Sequence, residues 1–127
     1  MIYRFHHIHL ICKDLKEMIE FFVEVLGARL IAERKFGTAD GASLNLHGIT
    51  VNLRCARENE EICEDARHTC YGYNHVGLEV DDIEAAYEEL SGRGFVFISA
   101  PKATGNVRFA LFKGPEAITI ELIQSVI

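Results

Sequence analysis

The stretch HIHLICKDL, residues 7–15, returns as HVGLEVDDI, residues 75–83, at a constant offset of 68 residues. Each copy opens with a histidine, His7 or His75, and apolar side chains then alternate along it. These apolar positions are Ile8, Leu10 and Cys12 in the first copy, and Val76, Leu78 and Val80 in the second. Such alternation is typical of a strand that packs one face on a core. The repeat therefore predicts two equivalent strands, each with its histidine on the opposite face.

An amphipathic helix is predicted directly after each strand. Apolar residues with helical spacing form one stripe in each copy: Leu15, Met18, Ile19, Phe22 and Leu26, followed by Gly27, and then Ile83, Ala86, Tyr87 and Leu90. Asp14 with Glu17, and Asp81 with Glu84, have the spacing of a capping box, which places an aspartate at the N-cap of each helix.

Three strand-like runs follow each predicted helix, separated by glycines. They read ARLIAER, ASLNLH and ITVNLR in the first half, and FVFIS, VRFALF and AITIELI in the second. The fold class is therefore α+β, built from two βαβββ modules. We place module one at 1–57, a charged linker at 58–70 and module two at 71–127. Because such short modules are marginal alone, we expect them to share one domain and one core.

Composition limits the partners of this chain of 127 residues. Its formal net charge of −6 disfavours binding to nucleic acid or to an anionic membrane. No apolar run approaches the ~20 residues of a membrane span, and the first residues do not resemble a signal peptide. We expect a soluble, cytoplasmic protein. The four cysteines have no metal-site spacing, so we expect reduced thiols.

The repeat resembles the vicinal oxygen chelate superfamily, which includes glyoxalase I, methylmalonyl-CoA epimerase, fosfomycin-resistance enzymes, extradiol dioxygenases and bleomycin-binding proteins. The resemblance rests on His7 with DLKEMIEFFVEVLG, on His75 with VDDIEAAYEEL, and on PKATGNVRFALFKGPEAITIELI near the end. It implies that the modules pair into a curved, cup-shaped mixed sheet that holds a divalent metal ion. It also implies a small-molecule substrate and a homodimer.

Carried over residue by residue, the family pattern places metal ligands at His7, His75 and Glu121. Two imidazoles and one carboxylate suit Zn, Ni, Co, Mn or Fe(II) and leave coordination positions for substrate. Strand alternation agrees, because Glu121 lies between the apolar residues Ile120 and Leu122. The alternative is that the histidines are ordinary surface residues and Glu121 an exposed strand residue. The ligand set can come from one chain or from two copies that exchange modules.

Other polar residues are candidates for the same cavity. His9 shares the face of His7 and can act as a general acid or base, as can Glu121 on a metal-bound substrate. Aligning ITVNL with ITIEL puts Asn52 where Glu121 stands, so one carboxylate of the glyoxalase I pattern is absent. Asn52, Arg54 and Arg108 are candidates for substrate binding, the arginines through an anionic group.

Three kinds of function follow from the resemblance. The first is a metal-dependent lyase or isomerase of the glyoxalase or epimerase type, in which the metal polarises a carbonyl and His9, Glu121 or Glu79 moves a proton. The second is a non-haem Fe(II) dioxygenase, favoured by the three-ligand set, with thiol addition to an epoxide as a further enzymatic possibility. The third is a metal-free binding protein that holds its ligand in the same groove.

Overall fold

Each half of the chain folds as β-α-β-β-β in the computed structural model, which describes residues 1–64 and 71–125. The elements of the first half are β1 (His7–Cys12), α1 (Leu15–Glu20), β2 (Arg29–Phe36), β3 (Ala39–Leu46) and β4 (Ile49–Cys55). Those of the second half are β5 (Val76–Glu79), α2 (Ile83–Gly92), β6 (Phe97–Thr104), β7 (Val107–Lys113) and β8 (Thr119–Ser125). The chain divides into two compact units, Met1–Glu64 and Asp65–Ile127. Of the predicted linker 58–70, residues 65–70 lie outside the described part.

The same strand order appears in both units. The first sheet runs β1-β4-β3-β2 and the second β5-β8-β7-β6. In each sheet the first pair is parallel and the other two pairs are antiparallel. The helix carries the chain from the opening strand to the far edge of the sheet, and two antiparallel returns then bring the last strand beside the opening one. Two four-stranded mixed sheets with few helices confirm the predicted α+β class and its βαβββ modules.

Helix α1 of the first unit begins where the sequence predicts. The carboxylate of Asp14 accepts the N–H of Glu17 at 3.0 Å and so caps the helix. A π-helical turn, Phe21–Val25, extends the helix. It buries both Phe21 and Phe22, whereas the predicted apolar stripe includes Phe22 but not Phe21. The helix ends at Gly27, whose φ of +76° is left-handed. Its apolar side packs on β3 and β4.

Helix α2 of the second unit corrects one prediction. Its N-cap is Asp82, which accepts the N–H of Ala85 at 3.0 Å, and not Asp81. The side chain of Gln124 on β8 accepts the N–H of Ile83 at 2.8 Å, so the sheet satisfies another free donor of the first turn. The core between α2 and the sheet consists of Ile83, Leu90, Ala110, Phe112, Ile120 and Leu122.

Strand alternation leaves one open face on each sheet. Along β1, Ile8, Leu10 and Cys12 point to the covered side, while His7 and His9 point to the open one. Along β8, Ile120 and Leu122 are buried, and Glu121 between them lies on the open side. Cys12, Cys55 and Cys63 form no disulfide bond, and Cys70 lies outside the described part. No helix in residues 1–64 or 71–125 is long and apolar enough to cross a membrane.

Candidate metal and substrate site

The open face of the second unit brings two predicted ligands together. His75 lies at the residue before β5, and Glu121 lies on the adjacent parallel strand β8, opposite Gly77. Nε2 of His75 is 2.8 Å from Oε2 of Glu121, and both side chains are partly exposed. The parallel pairing of β5 with β8 thus places an imidazole and a carboxylate side by side, although 46 residues separate them in the sequence.

The geometry of this pair fits a divalent metal ion. Two ligand atoms that each bond the same metal ion at about 2.0–2.2 Å lie roughly 3 Å from each other. The distance between Nε2 of His75 and Oε2 of Glu121 is close to this value. Oδ1 of Asn74 is 2.8 Å from Nδ1 of His75. Because an amide oxygen only accepts, Nδ1 carries the hydrogen, and the Nε2 side is the one that binds a metal or, when protonated, donates to Glu121.

The third predicted ligand, His7, belongs to the first unit. It lies opposite Thr50 of β4 and is exposed, and its Nδ1 is 2.8 Å from Nδ1 of His6. Within residues 1–64 and 71–125, no group of three or more His, Cys, Asp or Glu side chains converges as a metal site. The place of His7 in a ligand set therefore stays a prediction from the repeat.

Asn52 of the first unit occupies the register position of Glu121. It lies opposite His9 on β1, just as Glu121 lies opposite Gly77 on β5, which agrees with the alignment of ITVNL with ITIEL. The hydroxyl of Ser43 donates to Oδ1 of Asn52 at 2.7 Å. The structure therefore places a neutral amide, already hydrogen-bonded, at the position where the glyoxalase I resemblance calls for a second carboxylate.

His9 lies against an aromatic ring that the sequence did not indicate. The imidazole of His9 and the ring of Phe36 are 4.6 Å apart between centroids, and the guanidinium carbon of Arg34 is 4.6 Å from the same ring. Partial burial lowers the pKa of His9 below its usual value, and electrostatic interactions with Arg54, His7, Arg57 and Arg34 lower it further. Near neutral pH, His9 is therefore an uncharged imidazole that can accept a proton.

The ring of Phe36 reaches His9 because Gly41 has no side chain. Phe36 is on β2 and Gly41 is on β3, and a Cβ added to Gly41 would lie 2.6 Å from Cδ2 of Phe36 and 2.3 Å from the carbonyl oxygen of Leu53. The ring therefore lies over Gly41 on the open face. In the sequence this glycine indicates only a strand boundary, and no local pattern indicates the contact.

Both arginines predicted to bind substrate already have carboxylate partners. Arg54 lies on the open face of the first sheet, where Glu60 accepts from its Nη1 at 2.7 Å and its Nη2 at 2.8 Å. This hydrogen bonding lowers the pKa of Glu60 to about 2. Arg108 pairs with Glu84 of α2, and by strand alternation it lies on the helix-covered face, opposite to Glu121. Their roles in substrate binding remain predictions.

Residues at the start of the predicted linker make hydrogen bonds at the open face of the first sheet. The backbone N–H of Arg57 donates to Oε1 of Glu60 at 2.7 Å, and Nη2 of Arg57 donates to the carbonyl of Phe36, also at 2.7 Å. Residues 57–60 are thus tied to β2 and β4. The sequence predicts residues 58–60 as charged linker, because no sequence pattern indicates their contacts with these strands.

Comparisons with known proteins agree with this architecture. A profile described as the Glyoxalase/Bleomycin resistance protein/Dioxygenase superfamily matches residues 4–122. A Vibrio cholerae protein named probable lactoylglutathione lyase is 28% identical over 131 residues, covering 97% of this chain and 91% of that protein. An Arabidopsis thaliana protein named Glyoxylase I 4 is 24% identical over 119 residues, covering 92% of this chain and 68% of that protein.

Solved structures show the same fold. A glyoxylase/bleomycin resistance protein/dioxygenase domain from Frankia sp. has a TM-score of 0.80 at 18% identity, covering 98% of this chain and 93% of that one. A variant of the fosfomycin resistance protein FosX from Listeria monocytogenes, complexed with Mn(II) and 1S,2S-dihydroxypropylphosphonic acid, has a TM-score of 0.75 at 19% identity, covering 98% and 94%.

Proposed function

This chain belongs to the Glyoxalase/Bleomycin resistance protein/Dioxygenase superfamily, and from that membership we propose that it is a divalent-metal-dependent lyase or isomerase of the glyoxalase or epimerase type. The proposed substrate is a small metabolite with two neighbouring oxygens, from which the enzyme moves a proton. The observation that carries the proposal is the His75–Glu121 pair, whose nitrogen and oxygen face each other at 2.8 Å.

The proposed metal ligands are His75 and Glu121, and the repeat supports His7 as the third. Members of the superfamily use divalent metal ions, and the FosX variant named above was solved with Mn(II). The donor set of imidazole and carboxylate suits Zn, Ni, Co, Mn or Fe(II). A bound divalent ion supplies Lewis-acid stabilisation of negative charge on a substrate oxygen.

The proposed proton acceptor is His9. An uncharged imidazole on an open sheet face can take a proton from carbon, and Phe36 restricts its rotation from one side. The arginines around His9 favour the anionic product of that proton transfer over its neutral precursor. Glu121 is a second candidate for this step, because one oxygen of its carboxylate lies away from the contact with His75.

Asn52 favours one alternative function. Because Asn52 has an amide where a second carboxylate would stand, the proposed metal ligands are two histidines and one carboxylate. Non-haem Fe(II) oxygenases use this combination of ligands. A dioxygenase is therefore the second candidate. The two candidates differ in their need for oxygen and in the metals that support them.

The test compares metal-depleted protein after reconstitution with Zn, Ni, Co or Mn without oxygen, and with Fe(II) in air. The probes are lactoylglutathione, from the name of the Vibrio relative, for the lyase, and a catechol for the dioxygenase. The proposal predicts oxygen-independent turnover, lowered about 10²–10⁴-fold in His9→Gln because general acid–base catalysis is lost. The matched control Lys35→Gln, whose ammonium pairs with Asp40, keeps wild-type turnover.

Catechol cleavage that requires Fe(II) and oxygen would replace the lyase with the dioxygenase. Turnover that is unchanged after complete metal removal would contradict both metal-dependent functions.

A further inference from the structure

We infer that the open face of the first unit binds an oxyanion group of the ligand, a carboxylate or a phosphate-type group, through Arg34 and Arg57 beside the ring of Phe36. This inference rests on the proposed function in one respect, since it names the chemical class of the substrate for the same protein. Binding of the anion itself requires neither metal nor turnover.

The charge balance of this face is the first support. By strand register Arg34 and Arg54 lie in one row across Gly41, and Arg57 follows just after β4. Both carboxylate oxygens of Glu60 accept from the guanidinium of Arg54, and Oε1 also accepts from the backbone N–H of Arg57. In the described part of the chain, no carboxylate pairs with the guanidinium of Arg34 or of Arg57. Two guanidinium groups without a carboxylate hydrogen-bond partner therefore lie on one face of a protein whose net charge is −6, and Glu60 offsets only part of the charge of Arg57.

The second support is that both guanidinium groups are held in place. That of Arg34 lies over the ring of Phe36 with its carbon 4.6 Å from the centroid, and such stacking leaves its N–H donors at the edge free. That of Arg57 donates one N–H to the carbonyl of Phe36 at 2.7 Å and retains other donors. An oxyanion bound there would find donors already oriented, which lowers the entropy cost of binding.

The third support is the position of this face relative to His9. The ring of Phe36 contacts both His9 and Arg34, so an oxyanion on the arginines would lie near the proposed proton acceptor. The substrate class that fits is a small hydroxy or keto acid, or its phosphate-type analogue. Arg54 and Arg108 are less suited to this role, because a bound anion would have to displace Glu60 or Glu84.

The test is a binding titration of the metal-free protein, followed by NMR of the arginine Nε–H groups and of the Phe36 and Gly37 amides. The probes are lactate, its neutral analogue lactamide, and inorganic phosphate. We expect lactate, phosphate or both to shift the Arg34 and Arg57 signals, and lactamide to shift neither. A response to only one anion identifies whether the site takes carboxylates or phosphates.

Three variants distinguish anion binding at Arg34 and Arg57 from nonspecific electrostatic attraction to the protein. Arg34→Gln and Arg57→Gln should each weaken anion binding by about tenfold or more, because each removes a charge-assisted hydrogen bond. Lys35→Gln removes the same charge from the same strand on the opposite face, and it should change binding less than about twofold because exposed charges are screened.

Three results would overturn the inference: neither anion binds, lactamide binds as well as lactate, or Lys35→Gln weakens binding as much as the arginine variants. Because the titration uses metal-free protein, anion binding without any metal-dependent turnover would reject the proposed function and leave the anion site standing.

Discussion

At the scale of single residues, the missing side chain of Gly41 determines which residues are in contact on the open face of the first sheet. Gly41 lets the ring of Phe36 lie across β3, and the ring then contacts His9 and Arg34. This glycine is selected by close approach of the backbone of Leu53 and of an aromatic ring, because its own φ is not left-handed. An alanine at this position must displace one of the two neighbours.

Gly41→Ala is expected to destabilise the protein by about 1–3 kcal/mol, the usual cost of overpacking a close-packed site. Gly77→Ala is the matched control, since Gly77 also lies in a strand and an added Cβ there has no neighbour within 4 Å. We expect the control to change stability by less than about 0.5 kcal/mol. Urea unfolding at neutral pH measures both values, and equal stabilities for the two variants would contradict this packing argument.

Candidate site residues could be predicted where both copies of the repeat carry the same residue type at the same position. His7 and His75 were found by their common register, and strand alternation placed Glu121 on the open side of β8, as observed. Alternation also placed Arg54 on the face of Asn52, but it could not indicate that Glu60 would occupy its guanidinium. That pairing depends on the path of a loop, which has no periodic signal in sequence.

At the scale of elements, the cap of α2 shows how local rules compete. Asp81 with Glu84 satisfies the spacing of a capping box, yet the structure uses Asp82. The offset of 68 residues from Asp14 indicates Asp82, so the repeat was the better guide than the local motif. Gln124 of β8 contributes to the choice by accepting the N–H of Ile83, a tertiary contact outside any capping rule.

The segment at residues 57–60 is the element whose stability should depend on pH. The pKa of Glu60 falls from 4.5 to about 2 in the folded protein, because its carboxylate accepts from the Arg54 guanidinium and from the N–H of Arg57. A lowered folded-state pKa stabilises the protein above pH 4.5, and this contribution is lost as the pH falls toward 2.

Glu60→Gln should therefore be less stable than wild type at neutral pH, and the difference should shrink as the pH falls below 4.5. Unfolding free energies from urea titrations between neutral pH and the acid limit of folding provide the measurement. Glu58→Gln, which changes an exposed carboxylate two residues away, should show no such trend. A stability difference for Glu60→Gln that stays constant with pH would refute the assignment of this ion pair.

At the scale of the whole molecule, one duplicated topology carries two different sets of side chains. The second unit has His75 with Glu121, the pair suited to a metal ion. The first unit has Asn52 at the corresponding position, and it has Phe36, His9 and a group of arginines that suit an anionic ligand. The sequence predicted the duplication and the β-α-β-β-β succession of elements in each half, since both follow from hydrophobic periodicity.

The chemical difference between the units was only partly predictable. The substitution of Asn52 for a carboxylate was visible in the alignment of the two last strands. The arginine group was not, because Arg34, Arg57 and Phe36 come together through the β2–β3 hairpin and the segment after β4. Strand alternation in the sequence predicts which side chains share a face of the sheet. It does not predict which of them are in contact, because contacts depend on packing across the strands.

The most direct test of the central claim, that His75 and Glu121 hold a divalent metal ion, is the metal content and affinity of reconstituted protein. Elemental analysis and metal titration would compare wild type with Glu121→Gln, and with Glu79→Gln as a control that changes an exposed carboxylate on the neighbouring strand. We expect stoichiometric metal in wild type and in Glu79→Gln, and an affinity weakened at least about tenfold in Glu121→Gln. If wild type takes up no transition metal, or if Glu121→Gln binds it equally well, His75 and Glu121 do not form a metal site.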